Sequence, residues 1–148
     1  MSEHHATIEW QRHGVDFSYD AFRREHSWSF AGGHQVPASS APDFLGDPSH
    51  VDPEEAFVAS LSSCHMLTFL ALAARKRLVV ESYRDEAVGV LEKNAEGRLS
   101  MTRVVLRPRI AFGGEPPDEA QLEKLHEKAH EHCFIANSVR TEVVVESS

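Results

Sequence analysis

The first third of the chain alternates hydrophobic and polar residues in short segments. The alternation over residues 6–12 predicts a first strand, because every second side chain of a strand faces the same side. Residues 27–36 repeat the pattern around Gly32 and Gly33, which indicates a hairpin whose glycines take positive φ in the turn. The proline-rich residues 37–51 predict an irregular surface loop.

A long apolar helix is predicted to follow this loop. Asp52 is a good N-cap, Pro53 suits a first helical turn, and Glu55 completes a capping box. The helix is predicted to run to Arg75–Arg77, whose charges favour the C-terminal end of the helix dipole. Apolar side chains surround the helix, so it has to be buried on all sides. We therefore expect a homodimer built on this helix, with close approach at its small residues Ala56, Ala59, Ser60 and Ser63.

The second half of the chain predicts two long strands, a helix and a closing strand. Residues 78–92 and 99–112 form the two strands, joined by a hairpin turn at 94–97. Asp118 can cap the second helix, and residues 141–146 predict the closing strand. Antiparallel hairpins with segregated helices are typical of the α+β class. We expect a single domain over residues 1–148.

Composition excludes several kinds of partner. The net charge is −8, which argues against nucleic acid and anionic membranes, since both require a basic surface. No apolar run is expected to approach the roughly 20 residues needed to span a bilayer. The N-terminal residues show no basic region followed by an apolar one, so no signal peptide is predicted and a cytoplasmic location is expected.

The chain has only two cysteines, and each is predicted to lie on a helix. Cytoplasmic cysteines more often serve catalysis or redox sensing, or are simply buried, than form structural disulfides. Cys64 and Cys133 therefore predict a redox couple of an attacking and a resolving thiol. Cys64 has no arginine or lysine in its own helix closer than Arg75, so Arg23–Arg24 is the best candidate for a cation that stabilises its thiolate. The alternative is a cysteine packed as a small hydrophobe.

The second helix also contains the H-E-x-x-H pattern of zinc proteins. His126 and His130 would share a helical face, with Cys133 or His132 as a third ligand. The chain has 10 histidines, however, so chance pairs are expected, and the neighbouring Glu and Lys favour a solvated surface. His65 points about 100° away from its neighbour on the helix and is not expected to be a base for the adjacent thiol.

Two sequence elements resemble the OsmC/Ohr family. They are Asp52-Pro-Glu with Cys64 downstream, and, after the long hairpin, Ala129-His-x-x-Cys133. The resemblance extends from about residue 24 to residue 146. It implies a thiol peroxidase that reduces organic hydroperoxides and, less efficiently, hydrogen peroxide. It also implies the OsmC-like fold, an intertwined homodimer with two active sites at the interface, and no cofactor.

The resemblance also implies roles for individual residues. Cys64 matches the peroxidatic cysteine, Cys133 the resolving one, and Glu54 the family glutamate ten positions before the reactive cysteine. The family arginine matches Arg24, which begins the segment Arg-Glu-His-Ser-Trp, with Arg23 as the alternative. In this scheme the arginine stabilises the thiolate and the glutamate holds the arginine.

Helix geometry adds an independent argument for the dimer. Ten residues of helix rise about 15 Å, so Glu54 and Cys64 of one chain cannot share a site. If two copies of the helix cross antiparallel near Ala59, Glu54 of one chain comes opposite Cys64 of the other. A functional Glu54 therefore requires the homodimer.

The predicted reaction needs a hydroperoxide substrate and, to reduce the resulting disulfide, a dithiol reductant. An apolar wall would favour organic hydroperoxides over hydrogen peroxide, and its predicted residues are Phe57, Leu61, Phe69 and Phe134. Two alternatives remain open: a non-catalytic binding module on the same fold, and a small zinc protein that uses His126, His130 and Cys133.

Overall fold

A computed structural model describes residues 1–146 of the chain. It divides into two compact units, Met1–Ala56 and Phe57–Ser148, and each is described by itself. The fold is α+β, with two α-helices and three small sheets in the described part of the chain. The fold class predicted from the sequence is confirmed, whereas the single domain over residues 1–148 stays a prediction.

The first unit contains a three-stranded antiparallel sheet in which the second strand is central. Its strands are β1 (Ala6–Glu9), β2 (His26–Phe30) and β3 (Gln35–Ala38). The predicted hairpin is confirmed, with Gly33 at a φ of +88° in its turn. The first strand is shorter than predicted, and the segment predicted as a loop includes a 3-10 helix at Pro42–Phe44.

Helix α1 (Pro53–Arg75) begins and ends where the sequence predicts. The backbone N–H of Asp52 donates to the Glu55 carboxylate at 3.0 Å, and the N–H of Glu55 donates to the Asp52 carboxylate at 2.8 Å. This reciprocal pair is the predicted capping box, which satisfies amides that a helix N-terminus otherwise leaves free.

Helix α1 contains a longer apolar run than the sequence was expected to hold. It has 23 residues, and its most apolar 18-residue window has a mean hydropathy of 1.7, enough by length and composition to cross a membrane. The expectation that no apolar run approaches this length is therefore wrong. One such helix is a weak indication, however, because the core helix of a globular fold passes the same test.

The five strands of the second unit form two sheets. They are β4 (Val79–Asp85), β5 (Val88–Lys93), β6 (Leu99–Leu106), β7 (Pro108–Gly113) and β8 (Glu142–Val145). β4 pairs with β7 and β5 with β6, both antiparallel, while β8 adds to β6 in parallel. The two predicted long strands are each divided in two. The break between β6 and β7 comes directly before Pro108, whose missing N–H cannot continue a ladder.

Helix α2 (Glu119–His132) is capped by Asp118, as predicted. In its capping box the backbone N–H of Gln121 donates to the Asp118 carboxylate, and the backbone N–H of Asp118 donates to the side-chain oxygen of Gln121. The inner face of α2 packs against α1 in a cluster of buried side chains, Phe69, Ala73, Leu125 and Ala129. A second cluster, Leu61, Val104 and Leu106, joins α1 to the sheet that contains β6.

One stripe of α1 forms most of this core. Its buried residues follow a spacing of four and are Leu61, His65, Phe69 and Ala73. A second stripe of the same helix is open to solvent in the single chain and contains no charged side chain. Its residues are Ala59, Ser60, Ser63, Leu67, Ala71 and Ala74.

Candidate active site

The structure brings the two cysteines together. Cys64 is half-buried on α1, and Cys133, at the C-terminal end of α2, is 1% exposed. Both thiols are free. Burial raises the pKa of the Cys133 thiol, and a hydrogen bond with the Cys64 side chain raises it further. The two thiols are therefore in direct contact within the second unit.

A turn at the end of α2 holds Cys133. Its backbone N–H donates to the carbonyl of His130 at 3.3 Å, and its carbonyl accepts from the N–H of Asn137 at 3.0 Å. The N–H of Ala136 donates to the Cys133 sulfur at 3.5 Å, which favours the thiolate. The effect of burial is larger, so the net shift of the Cys133 pKa is upward.

Glu54 lies in the first turn of α1, half-buried. Burial raises the pKa of its carboxyl, and the charge of Asp52 acts in the same direction. Within residues 1–146 Glu54 forms no ion pair. Its helix separates it from Cys64 by ten residues, a rise of about 15 Å.

The Arg24 side chain is anchored inside the first unit. Its guanidinium donates to the carbonyl of Phe22 at 2.6 Å and to that of Tyr19 at 2.7 Å. It also lies over the Phe22 ring, 3.6 Å from the centroid. No carboxylate of the described residues pairs with it, so other N–H donors of the guanidinium stay available. The side chain of the alternative, Arg23, lines a groove beside Trp10.

The four residues predicted to form an apolar wall fall into two groups. Leu61 and Phe69 are fully buried, each in one of the two core clusters. Phe57 is half-buried, and Phe134, directly after Cys133, is 79% exposed. The wall stays a prediction, and only Phe57 and Phe134 expose surface to a substrate without movement of the core.

The sequence analysis missed a buried pair of histidines. The side chain of His126, predicted to lie on a solvated surface, is 5% exposed, and its Nδ1 lies 3.0 Å from Nε2 of His65. The sequence did indicate that His126 is buried, because it shares one face of α2 with three apolar residues, Leu122, Leu125 and Ala129. His130 is exposed, and residues 1–146 contain no cluster of three or more His, Cys, Asp or Glu side chains suited to a metal.

The α+β fold, with two helices and three small sheets in the described residues, agrees with the OsmC-like class. The family model described as OsmC-like protein matches residues 46–148. The chain therefore belongs to the OsmC-like family. No curated protein is similar enough to count as a match.

Solved structures extend the comparison over the whole chain. An OsmC-like protein of unknown function from Vibrio cholerae is 52% identical, with a TM-score of 0.96 and full coverage of both chains. An organic hydroperoxide resistance protein OsmC from Legionella pneumophila is 17% identical, with a TM-score of 0.70 over 100% of this chain and 98% of that one. A second organic hydroperoxide resistance protein, from Elizabethkingia anophelis, is 17% identical, with a TM-score of 0.74 over 99% of this chain and 94% of that one. At 17% identity these last two likenesses concern the fold alone.

Proposed function

We propose that the protein is a cytoplasmic, thiol-dependent peroxidase that reduces organic hydroperoxides and, less efficiently, hydrogen peroxide. The observation that carries the proposal is the contact between the free thiols of Cys64 and Cys133. Membership of the OsmC-like family supports it, as do the names of the Legionella and Elizabethkingia proteins that share the fold.

In the first step the Cys64 thiolate attacks the distal oxygen of the hydroperoxide. The O–O bond breaks, the alkoxide takes a proton and leaves as an alcohol, and Cys64 becomes a sulfenic acid. Cys64 suits this role because it is the more exposed of the two thiols. The peroxide is reduced by two electrons, which the sulfur supplies.

In the second step Cys133 attacks the Cys64 sulfur. The thiol proton joins the departing hydroxide, so one water is released for each Cys64–Cys133 disulfide formed. The raised pKa of Cys133 suits a resolving thiol, which stays protonated until the sulfenic acid has formed. A dithiol reductant then exchanges with the disulfide and returns both cysteines to thiols.

We further propose that the working enzyme is a homodimer in which Glu54 of one chain faces Cys64 of the other. Arg24 would stabilise the thiolate, and Glu54 would hold the guanidinium through charged hydrogen bonds. Two observations support this arrangement: Glu54 has no cation partner within residues 1–146, and the uncharged second stripe of α1 is exposed in the single chain. Small residues on that stripe allow the close approach of a second helix.

The test is peroxide turnover by the native chain and by two cysteine variants, with cumene hydroperoxide and a dithiol reductant. Cys64→Ser should lose turnover, whereas Cys133→Ser, treated with peroxide before the reductant is added, should consume one equivalent and stop at the sulfenic acid. A Cys64→Ser variant with full turnover contradicts the mechanism. Native thiols that stay reduced under peroxide contradict the peroxidase proposal and favour a binding module on the same fold.

A further inference from the structure

A pair of buried histidines connects the two helices that carry the cysteines. His65 on α1 is 1% exposed and His126 on α2 is 5% exposed. Nε2 of His65 and Nδ1 of His126 are 3.0 Å apart, and the two rings are nearly parallel, with an interplanar angle of 10°. The Phe69 ring stacks on His126 from within the core, with a centroid distance of 4.6 Å.

Among residues 1–146, this is the one hydrogen bond that either ring forms. Within residues 1–146, Nδ1 of His65 and Nε2 of His126 have no hydrogen-bond partner. Burial lowers the pKa of both imidazoles, so both rings are neutral and one donates its N–H to the other. Two polar rings thus share a single hydrogen bond in an apolar core, although unpaired buried nitrogens destabilise a fold.

The position of the pair relates it to the thiols. His65 directly follows Cys64 on α1, and His126 lies seven residues, or about two turns, before Cys133 on α2. A residue two turns earlier shares the face of the helix on which Cys133 lies. The hydrogen bond therefore ties α2 to α1 about 10 Å before the terminal thiol, on the face of α2 that continues to Cys133.

We propose that the His65–His126 hydrogen bond positions Cys133 against Cys64 and thereby accelerates disulfide formation. The pair is a positioning pair and takes no part in bond making: the Cys133 thiol proton still leaves with the Cys64 hydroxyl as water. The inference rests on the proposed peroxidase function. It assigns the pair to the second step of the reaction and predicts no effect on the first.

Asparagine and leucine at position 126 give a matched test. They have nearly the same shape, but only asparagine places a hydrogen-bonding atom where Nδ1 of His126 lies. Each variant is treated with one equivalent of cumene hydroperoxide. Sulfenic acid is trapped with dimedone, and disulfide is followed by mass spectrometry of quenched samples. Lys124 is exposed on α2, so Lys124→Gln is the control for the effect of any substitution in this helix.

All variants should form the sulfenic acid at the native rate. His126→Asn should then form the disulfide within about threefold of the native rate, whereas His126→Leu should be about tenfold slower or more. Equal rates of disulfide formation in the two variants would overturn the positioning role and leave the peroxidase function intact. A native chain that forms no sulfenic acid would overturn both.

A second matched pair covers the case in which leucine at position 126 prevents folding, as judged by circular dichroism. His65→Gln keeps a donor or acceptor near Nε2 of His65, and His65→Met has a similar length with neither. The same difference in disulfide formation is expected between them. Equal rates would again overturn the proposal.

Discussion

The two stripes of helix α1 differ in what they contribute to a single chain. The stripe that contains Leu61 and Phe69 is fully buried and joins both core clusters. The stripe that contains Ser63 and Leu67 is exposed, with Leu67 at 60%, yet it contains no charged side chain. The first stripe therefore stabilises the fold of one chain, while the second has the composition of a surface that a second chain covers.

The largest expected effect belongs to the buried stripe. Phe69→Ala removes a fully buried ring that contacts both Tyr83 and His126, and should lower the free energy of unfolding by about 3–5 kcal/mol. Leu67→Ala, on the exposed stripe, is the control and should change the stability of the single chain by less than about 1 kcal/mol. Urea unfolding at low protein concentration measures both. Similar losses in the two variants would contradict the division between the stripes.

Acid should also act through the buried stripe. Burial, with the charges of His126 and His130, lowers the pKa of His65 from 6.5 to about 4. The unfolded chain therefore binds more protons than the folded one between these values, and the free energy of unfolding should fall as the pH drops from 6.5 to about 4. The protonation of His65 can lower the free energy of unfolding by at most about 3 kcal/mol.

His65→Gln cannot titrate and should remove this part of the acid dependence. Urea unfolding of the native chain and of the variant at a series of pH values gives the two slopes. The contribution of the native His65 should level off below the folded pKa, because both states are then protonated. Identical slopes in the two proteins would mean that His65 is not held neutral in the core.

A charge on the exposed stripe should affect association and leave folding nearly unchanged. Leu67→Glu would bury an unpaired carboxylate in the proposed dimer, so we expect the dimer to weaken by about 2–3 kcal/mol. Leu67→Met keeps the apolar volume and should associate like the native chain. Sedimentation velocity over a range of concentrations distinguishes them. A Leu67→Glu dimer as tight as the native one would exclude this stripe from the interface.

Local rules predicted much of the fold from the sequence. The caps at Asp52 and Asp118, the turn at Gly33 and the ends of α1 depend on a few neighbouring residues, and all are confirmed. The parallel pairing of β8 with β6 depends on contacts between distant segments, which no local pattern encodes. The division of the second long strand into β6 and β7 could have been predicted, because Pro108 lies where the ladder breaks.

The candidate site was predicted in part. Both cysteines were singled out by their rarity, and the structure brings their thiols into contact. His126 was misjudged because charged neighbours suggested a solvated face, while its spacing with Leu122 and Leu125 indicated a buried one. The proposed roles of Glu54 and Arg24 require a second chain.

The central claim is that Cys64 and Cys133 form a redox couple that reduces hydroperoxides. The most direct measurement treats the reduced protein with one equivalent of cumene hydroperoxide and, separately, of hydrogen peroxide, and follows thiol loss and peptide mass. The account predicts rapid loss of both thiols, faster with cumene hydroperoxide, and a linked Cys64–Cys133 peptide. Thiols that stay reduced for many minutes with both peroxides would contradict it.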